Sequence, residues 1–371
     1  MASSFGEQRF ILTQRDVGWI VFGERSFTET IRVDARTLMT CLPLTIGGYR
    51  YEHTRALFDG AIGIEGVEAT FVSSPLISDT FQQMAQGELD VAEYGLTYFL
   101  RSWDAAASPF VALPIFPNRN FRHEALYVSE RSGIERPEEL AGRTVGEFAL
   151  WGSDPGVWMK GILAEEYGVT PDQIRWIVGG TDFPMGAFDW IPQPVPAGVD
   201  VTHAPDGATL AAMLESGQID ALLSVDVPQA LLNGDKTGIR RLWPEYPQVE
   251  REYFTRTGIH PMMHVVAIRR EVVAEHPEVA RAIYDAYATA KEQVQSWYRD
   301  QATKQHMGVI TPWFSELFAE NRALLGEDWW PYGVERNRRA IDTFLRYHHE
   351  QGLSQTLLTS EDIFAPSLLD T

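Results

Sequence analysis

Cysteine is all but missing: Cys41 is the only one in 371 residues. One thiol forbids an internal disulfide and any multi-cysteine metal site. Its ordinary role is a small buried hydrophobe rather than a nucleophile. Lysine is scarce as well, so the 31 basic side chains are nearly all arginine. Against 51 acidic residues they leave a formal net charge of −20. Such a chain lacks the cationic surplus that neutralises nucleic-acid phosphates or adheres to anionic lipid. A small anion is not excluded, because a few buried donors decide a pocket. No run approaches the roughly 18 apolar residues of a membrane span. Residues 1–38 lack the basic start, the apolar run of about 7–15 residues and the small-residue cleavage site of a signal peptide. The expected location is the cytoplasm. Nucleic acid and membrane are not expected partners.

What is present is a folded chain. Hydrophobic residues make up 44% and aromatics 12%, too much apolar content for disorder. The length is a soft prior for about two domains. Residues 1–38 read as an extension in which Gln8 to Val21 has strand character. From Leu42 the pattern is that of α/β units. Leu42–Ile46 is a strand before Gly47-Gly48, and His53–Phe58 a short helix. Val67–Val72 alternates as a strand, Ser78–Gln86 has helical spacing, and Leu89–Tyr94 is a strand ending in a carboxylate and a phenol. Phe110–Phe116 and Glu124–Val128 continue the strands. After Pro137–Arg143 the pattern restarts with the strand Thr144–Glu147, the helix Pro155–Glu166 and the strand Arg175–Val178. Phe183–Val199 reads as a long loop. The helix Thr209–Ser216 and strand Ile219–Ser224 repeat the arrangement of residues 81–94. Met263–Ile268 is a strand, and Pro277–Tyr298 opens a largely helical tail. Two similar α/β halves, with the tail returning to the first, describe this order better than one sheet.

Several blocks resemble the 4,5-dihydroxyphthalate decarboxylase family. They are Thr54–Gly60, Asp90–Tyr94, Pro114–His123, Thr257–Val266, Gly326–Gly333 with Asn337-Arg338, and Tyr347–Gly352. The resemblance runs from about residue 42 to 354. It implies an α/β fold like the type II periplasmic binding proteins, with two lobes, two crossovers and an interlobe cleft. On that template, lobe 1 is residues 39–135 and 260–371, and lobe 2 is residues 136–259. It also implies an enzyme, a carboxy-lyase, acting on a small aromatic carboxylate. Two departures stand out. Residues 1–38 lie outside the family pattern, and Met39 is an alternative start. The loop Thr181–Trp190, which usually carries basic residues, holds two acids, three aromatics and no cation, so the substrate is less anionic or more aromatic than a phthalate if this loop lines the cleft.

Decarboxylation of a phenolic acid needs no cofactor if the ring carbon is protonated while the phenolate pushes electrons in. The site then needs a proton donor, a partner for the phenol and a clamp for a carboxylate. No cofactor and no metal site is expected, although His and carboxylate groups could assemble around a divalent ion without a sequence signature. The proton-transfer candidates are His123, His264 and Glu93, the last orienting a histidine or accepting a phenol proton. His260, four residues before His264, would share a helix face with it, but Pro261 and the β-rich run argue strand. The binding candidates are Arg122 and Arg55 as carboxylate clamps, Tyr94 at a strand end, Trp151 for ring stacking, Ser153 at a helix start, and Asp226. Each has a plainer reading: Arg55 in an ion pair with Asp59 or Glu52, Trp151 as core, and Asp154 as a helix cap. Trp329–Gly333 reads as packing on the first lobe or as an oligomer contact. The competing functions are a solute-binding protein and a ligand sensor of the same fold.

Overall fold

The computed structural model describes residues 41–103, 108–234 and 238–371. The strand reading at Gln8–Val21 lies outside the described residues. Leu42 to Thr371 folds as one unit built on two sheets. Cys41 is exposed, not the buried hydrophobe expected.

The first sheet is laid down by β1 (Leu42–Gly47), β2 (Val67–Val72), β3 (Val91–Gly95) and β4 (Phe110–Leu113). The chain then crosses and builds the second sheet from β5 (Leu126–Ser129), β6 (Thr144–Phe148), β7 (Arg175–Gly179), β8 (Asp200–His203), β9 (Ala221–Leu223) and β10 (Ile239–Arg241). It returns through β11 (His264–Arg269), which inserts between β3 and β4. The strand orders are β2-β1-β3-β11-β4 and β10-β5-β9-β6-β7-β8. β1, β2 and β3 run parallel, and β11 is antiparallel to both its neighbours. The second sheet repeats this scheme, with β5 antiparallel to β9. Every residue of β3 and β4 is buried, as expected of strands covered on both faces.

Two expected boundaries shift. β5 pairs with β9 and β10, so the first crossing falls before Leu126 and not at residue 135. The tail does not stay on lobe 1. Its helix Arg338–Glu350 lies against the helix Asp154–Tyr167 of lobe 2, with the Trp158 ring 5.4 Å from Phe344 and 5.9 Å from Tyr347. Gly161 permits this approach, because a Cβ there would collide with the Tyr347 ring. Trp158 also donates its Nε1–H to the Met262 carbonyl at 2.7 Å, tying the same helix to the returning crossover. One hydrophobic cluster therefore runs from Phe81 and Tyr94 of the first lobe through Trp158 and Trp176 of the second to Phe344 of the tail. No described helix is long and apolar enough to cross a membrane.

Candidate functional site

In open α/β sheets, ligand contacts gather beyond the carboxyl ends of the parallel strands. Here those ends are Glu93–Gly95 of β3, Glu147-Phe148 of β6 and Leu223 of β9, and a cavity of about 390 Å³ lies between them. Lobe 1 lines it with Phe81, Tyr98, Asn118, Arg122 and His264. Lobe 2 lines it with Phe148, Asp154, Phe183, Phe188 and Asp226.

His264 opens β11 opposite Gly95. Glu93 lies two residues earlier on the same face of β3, and its Oε1 is 2.6 Å from His264 Nδ1. That carboxylate is itself anchored: Oε1 accepts from the Tyr51 hydroxyl at 2.7 Å, and Oε2 accepts the Tyr49 N–H at 2.9 Å. Asn118 donates to the Tyr51 oxygen at 3.2 Å, and burial beside Glu93 pushes the Tyr51 phenol pKa well above its ordinary range. A histidine whose Nδ1–H is held by a carboxylate keeps Nε2 for chemistry. The Phe81 ring meets His264 edge-on at 5.0 Å and sets its plane. Nε2 has no hydrogen-bond partner among the described residues.

Arg122 is 5% exposed and makes no ion pair among the described residues. Its Nε donates to Met263 Sδ at 3.2 Å, and its two Nη groups have no partner there. Burial lowers its pKa to about 10, so it stays charged at neutral pH. A desolvated guanidinium with an unused fork is a site for a carboxylate. The lobe 2 wall is shaped by Ala149, held at φ 69 by its N–H bond to Gly179 O at 2.9 Å. Such a conformation costs a non-glycine residue of order 1 kcal/mol or more, and it clusters at functional sites.

Of the expected residues, the fold brings Arg122, His264, Ser153 and Asp226 to the cavity, with Glu93 directly behind His264. Ser153 lines it, but its hydroxyl is spent capping the helix, accepting Gly156 N–H at 3.3 Å and facing Glu147 Oε1 at 3.3 Å. Asp226 is exposed at the rim, and its carboxyl pKa is raised by partial burial and by Asp182.

Four candidates are placed elsewhere. His123 follows Arg122 in a tight turn and points the opposite way, between Trp243 at 5.2 Å and Tyr253 at 5.3 Å. Neither ring nitrogen has a partner among the described residues, and burial pulls its pKa down to about 4. Tyr94 cannot share a face with Glu93, because neighbours on a strand alternate. It is buried against Phe81 and Phe110. Trp151 belongs to the interior of lobe 2, with Lys160 Nζ 3.8 Å above its ring and Trp176 at 5.4 Å. Lys160 in turn is buried on both oxygens of Glu147 at 2.7 Å. Arg55 is exposed on a one-turn helix that buries Leu57 instead, and neither acid named for it is its partner. Asp59 pairs with Arg50, and Glu52 accepts from the Tyr298 hydroxyl. His260 is stacked on Phe121 at 4.8 Å, away from His264, and burial lowers its pKa to about 3.

Sequence reasoning missed Asp154 and Asn118 as cavity residues, and the part of the aromatic wall made by Phe81, Tyr98 and Phe148. Asn118 and Arg122 come from one quoted block, and a two-residue periodicity there was the available signal. The loop after β7 does reach the cavity through Phe183, Met185 and Phe188. Trp190 of that loop stacks on Tyr98 at 5.6 Å, laying lobe 2 over lobe 1. Trp330 donates to Phe116 O at 3.0 Å, so that part of the tail packs on the first lobe. Among the described residues, no group of three or more His, Cys, Asp or Glu could hold a metal ion.

The chain is 30% identical over 336 residues to the 4,5-dihydroxyphthalate decarboxylase of Comamonas testosteroni, covering 90% of this chain and 99% of that one. It belongs to the 4,5-dihydroxyphthalate decarboxylase family. A second relative of that name, from Pseudomonas putida, is 32% identical over 199 residues, 53% of this chain and 76% of that one. No family model matches the chain. Among solved structures, the periplasmic aliphatic sulphonate binding protein of Escherichia coli is similar with a TM-score of 0.51 at 14% identity, covering 87% of this chain and 91% of that one. A periplasmic sulfonate-binding protein of Methylobacillus flagellatus reaches 0.50 at 17% identity, with 88% and 92% covered. These likenesses show the two-lobed α/β fold of periplasmic binding proteins. Within this decarboxylase family member, the cavity draws Asn118, Arg122, Met263 and His264 from the blocks Pro114–His123 and Thr257–Val266.

Proposed function

We propose that the protein is a carboxy-lyase that releases CO2 from a hydroxylated aromatic carboxylic acid, such as the 4,5-dihydroxyphthalate named for its relatives. One observation carries this reading. A buried guanidinium that makes no ion pair among the described residues, Arg122, and a carboxylate-held histidine, His264, face the same aromatic-walled cavity.

Loss of CO2 leaves an electron pair on carbon, which is affordable only when the ring carbon has first been protonated. A hydroxyl para to the carboxylate supplies the electrons for that step. His264 Nε2 is the donor, and Glu93 fixes the ring so that the proton is delivered in one direction. Arg122 holds a carboxylate through its two free Nη groups. Among the described lining residues it is the only arginine or lysine, so it grips one carboxylate. The departing group faces Phe81, Phe183 and Phe188, an apolar wall suited to neutral CO2. The same rings sandwich an arene, which supports an aromatic substrate with few charges.

A solute-binding role would use Arg122 but has no need of the Glu93–His264 pair. Incubation with hydroxylated benzoates and phthalates, with and without chelator, separates the two. Carbon dioxide release from at least one member is expected. Tight binding across the panel with no release would refute the enzyme reading.

A further inference from the structure

The helix Asp154–Tyr167 begins on the cavity wall, and an aspartate in its first turn reads as a cap. The cap is Ser153 instead, whose Oγ accepts the Gly156 N–H. Asp154 is thereby free to leave its own helix, and its carboxylate crosses to the other lobe. Oδ1 accepts the Thr97 N–H at 2.6 Å, a backbone donor in the first turn of the helix Leu96–Trp103. The side chain is 3% exposed.

Room for it is made by Gly95. A Cβ at that position would stand 2.6 Å from Asp154 Oδ2 and 2.5 Å from the Tyr98 ring. Gly95 is the cross-strand partner of His264. Side chains of such partners lie about 4.5–5.5 Å apart at Cβ. Oδ2 therefore fills the place of the residue opposite His264, while Glu93 holds the other side of that ring. His264 lies between a carboxylate of its own sheet and one delivered by the second lobe. Oδ2 makes no hydrogen bond among the described residues, and Asp154 lines the cavity.

We propose that Asp154 is the second proton-transfer residue of this site, its Oδ2 taking the phenolic proton of the hydroxyarene while His264 protonates the ring carbon that bears the leaving carboxylate. This rests on the decarboxylation reading above. The phenolic O–H bond breaks and its electrons enter the ring. A C–H bond forms with the proton from His264. The bond from carbon to CO2 then breaks, its pair restores the aromatic ring and the phenolate, and Asp154 returns its proton to that oxygen. His264 is recharged from water. One proton is consumed per CO2, and no oxidant or reductant enters.

The groups facing Asp154 are His264 from β11, Tyr94 from β3, Tyr98 and Arg101 from the helix Leu96–Trp103, and Arg122 from the crossover. Burial raises the Asp154 carboxyl pKa to about 6, against the opposing pull of His264, the Thr97 N–H, Arg101 and Arg122. It is ionised at neutral pH and more basic than a solvated carboxylate, the balance a general base needs.

The test is Asp154→Asn, which keeps an oxygen for Thr97 and cannot take a proton. With 4,5-dihydroxyphthalate, kcat is expected to fall about 100- to 1000-fold. Substrate affinity should stay within about threefold, and the acid limb of kcat/KM near pH 6 should disappear. With a ring-nitrated analogue whose phenol is already ionised, the deficit should shrink below about tenfold, because no phenolic proton remains to be taken. Asp154→Ser serves as a second variant if the first misfolds, with the same loss of the acid limb. Turnover of Asp154→Asn within threefold of wild type, or an equal deficit on both substrates, overturns the role while leaving decarboxylation standing. A wild-type chain that binds both compounds and releases no CO2 overturns the decarboxylation reading, and this role with it.

Discussion

His264 and His123 are both buried, both lie at a crossing between the lobes, and each is next in sequence to a residue of the cavity wall. Their surroundings differ in one respect. His264 has a carboxylate on Nδ1, itself anchored by a tyrosine hydroxyl and a backbone N–H, and leaves Nε2 facing the cavity. His123 has two rings beside it and, among the described residues, no partner for either nitrogen. The residue type is the same, and on the proposed reading the wiring is what makes a proton donor of one and a packing element of the other. On that reading only the first uses its proton.

The largest expected effect breaks that comparison outright. His264→Ala should lower CO2 release by about 1000-fold, whereas His123→Ala should stay within about fivefold, both measured at saturating substrate. Equal losses would show that wiring does not separate them. Next comes the support behind the ring. Glu93→Gln should reduce kcat by about 10- to 100-fold with affinity little changed, since it frees the imidazole without removing it. Arg122→Lys should act on KM rather than kcat, raising it about tenfold, because a point charge cannot replace a two-pronged fork. The smallest effect belongs to His123 and to stability. Its pKa is lowered from the unfolded value of about 6.5 to about 4 by burial. The folded chain therefore resists protonation there: the contribution is complete above pH 6.5 and is lost as pH falls toward 4. His123→Leu should remove on the order of 2 kcal/mol of acid sensitivity in that window, read by urea unfolding at pH 7 and pH 4.5. Half-buried His53, with its pKa also lowered to about 4, leaves a residual slope in both proteins.

The fold was legible where local pattern decides it. Alternation at Val67–Val72 marks β2, and the apolar runs at Leu89–Tyr94 and Met263–Ile268 contain nearly all of β3 and β11. Helix spacing finds Ile77–Ala85 and Asp154–Tyr167 to within a residue or so. Of the candidate site, the sequence offered Arg122, His264 and Glu93, which the fold sets in the cavity or directly behind it. What was not legible rests on distance along the chain. Glu93 meets His264 across 171 residues, and no spacing rule reports such a bond. Arg122 and His123 were selected as neighbours, yet a three-residue turn sends them apart. Asp154 was read as a cap because Ser153 and Asp154 are equivalent in propensity, and only tertiary structure shows which one turns back on the helix. The tail was assigned to lobe 1 because a core strand followed by long helices suggests a chain returning to finish the first half, and a helical pattern does not say against which lobe its apolar face is laid.

The most direct measurement follows 4,5-dihydroxyphthalate in deuterated water with wild type and His264→Ala, reading CO2 release and ring deuterium together. The account predicts one deuterium per CO2, at the carbon that lost the carboxylate, and a loss of about 1000-fold in the variant. Binding of the compound by both proteins without CO2 release, or equal release by both, would contradict it.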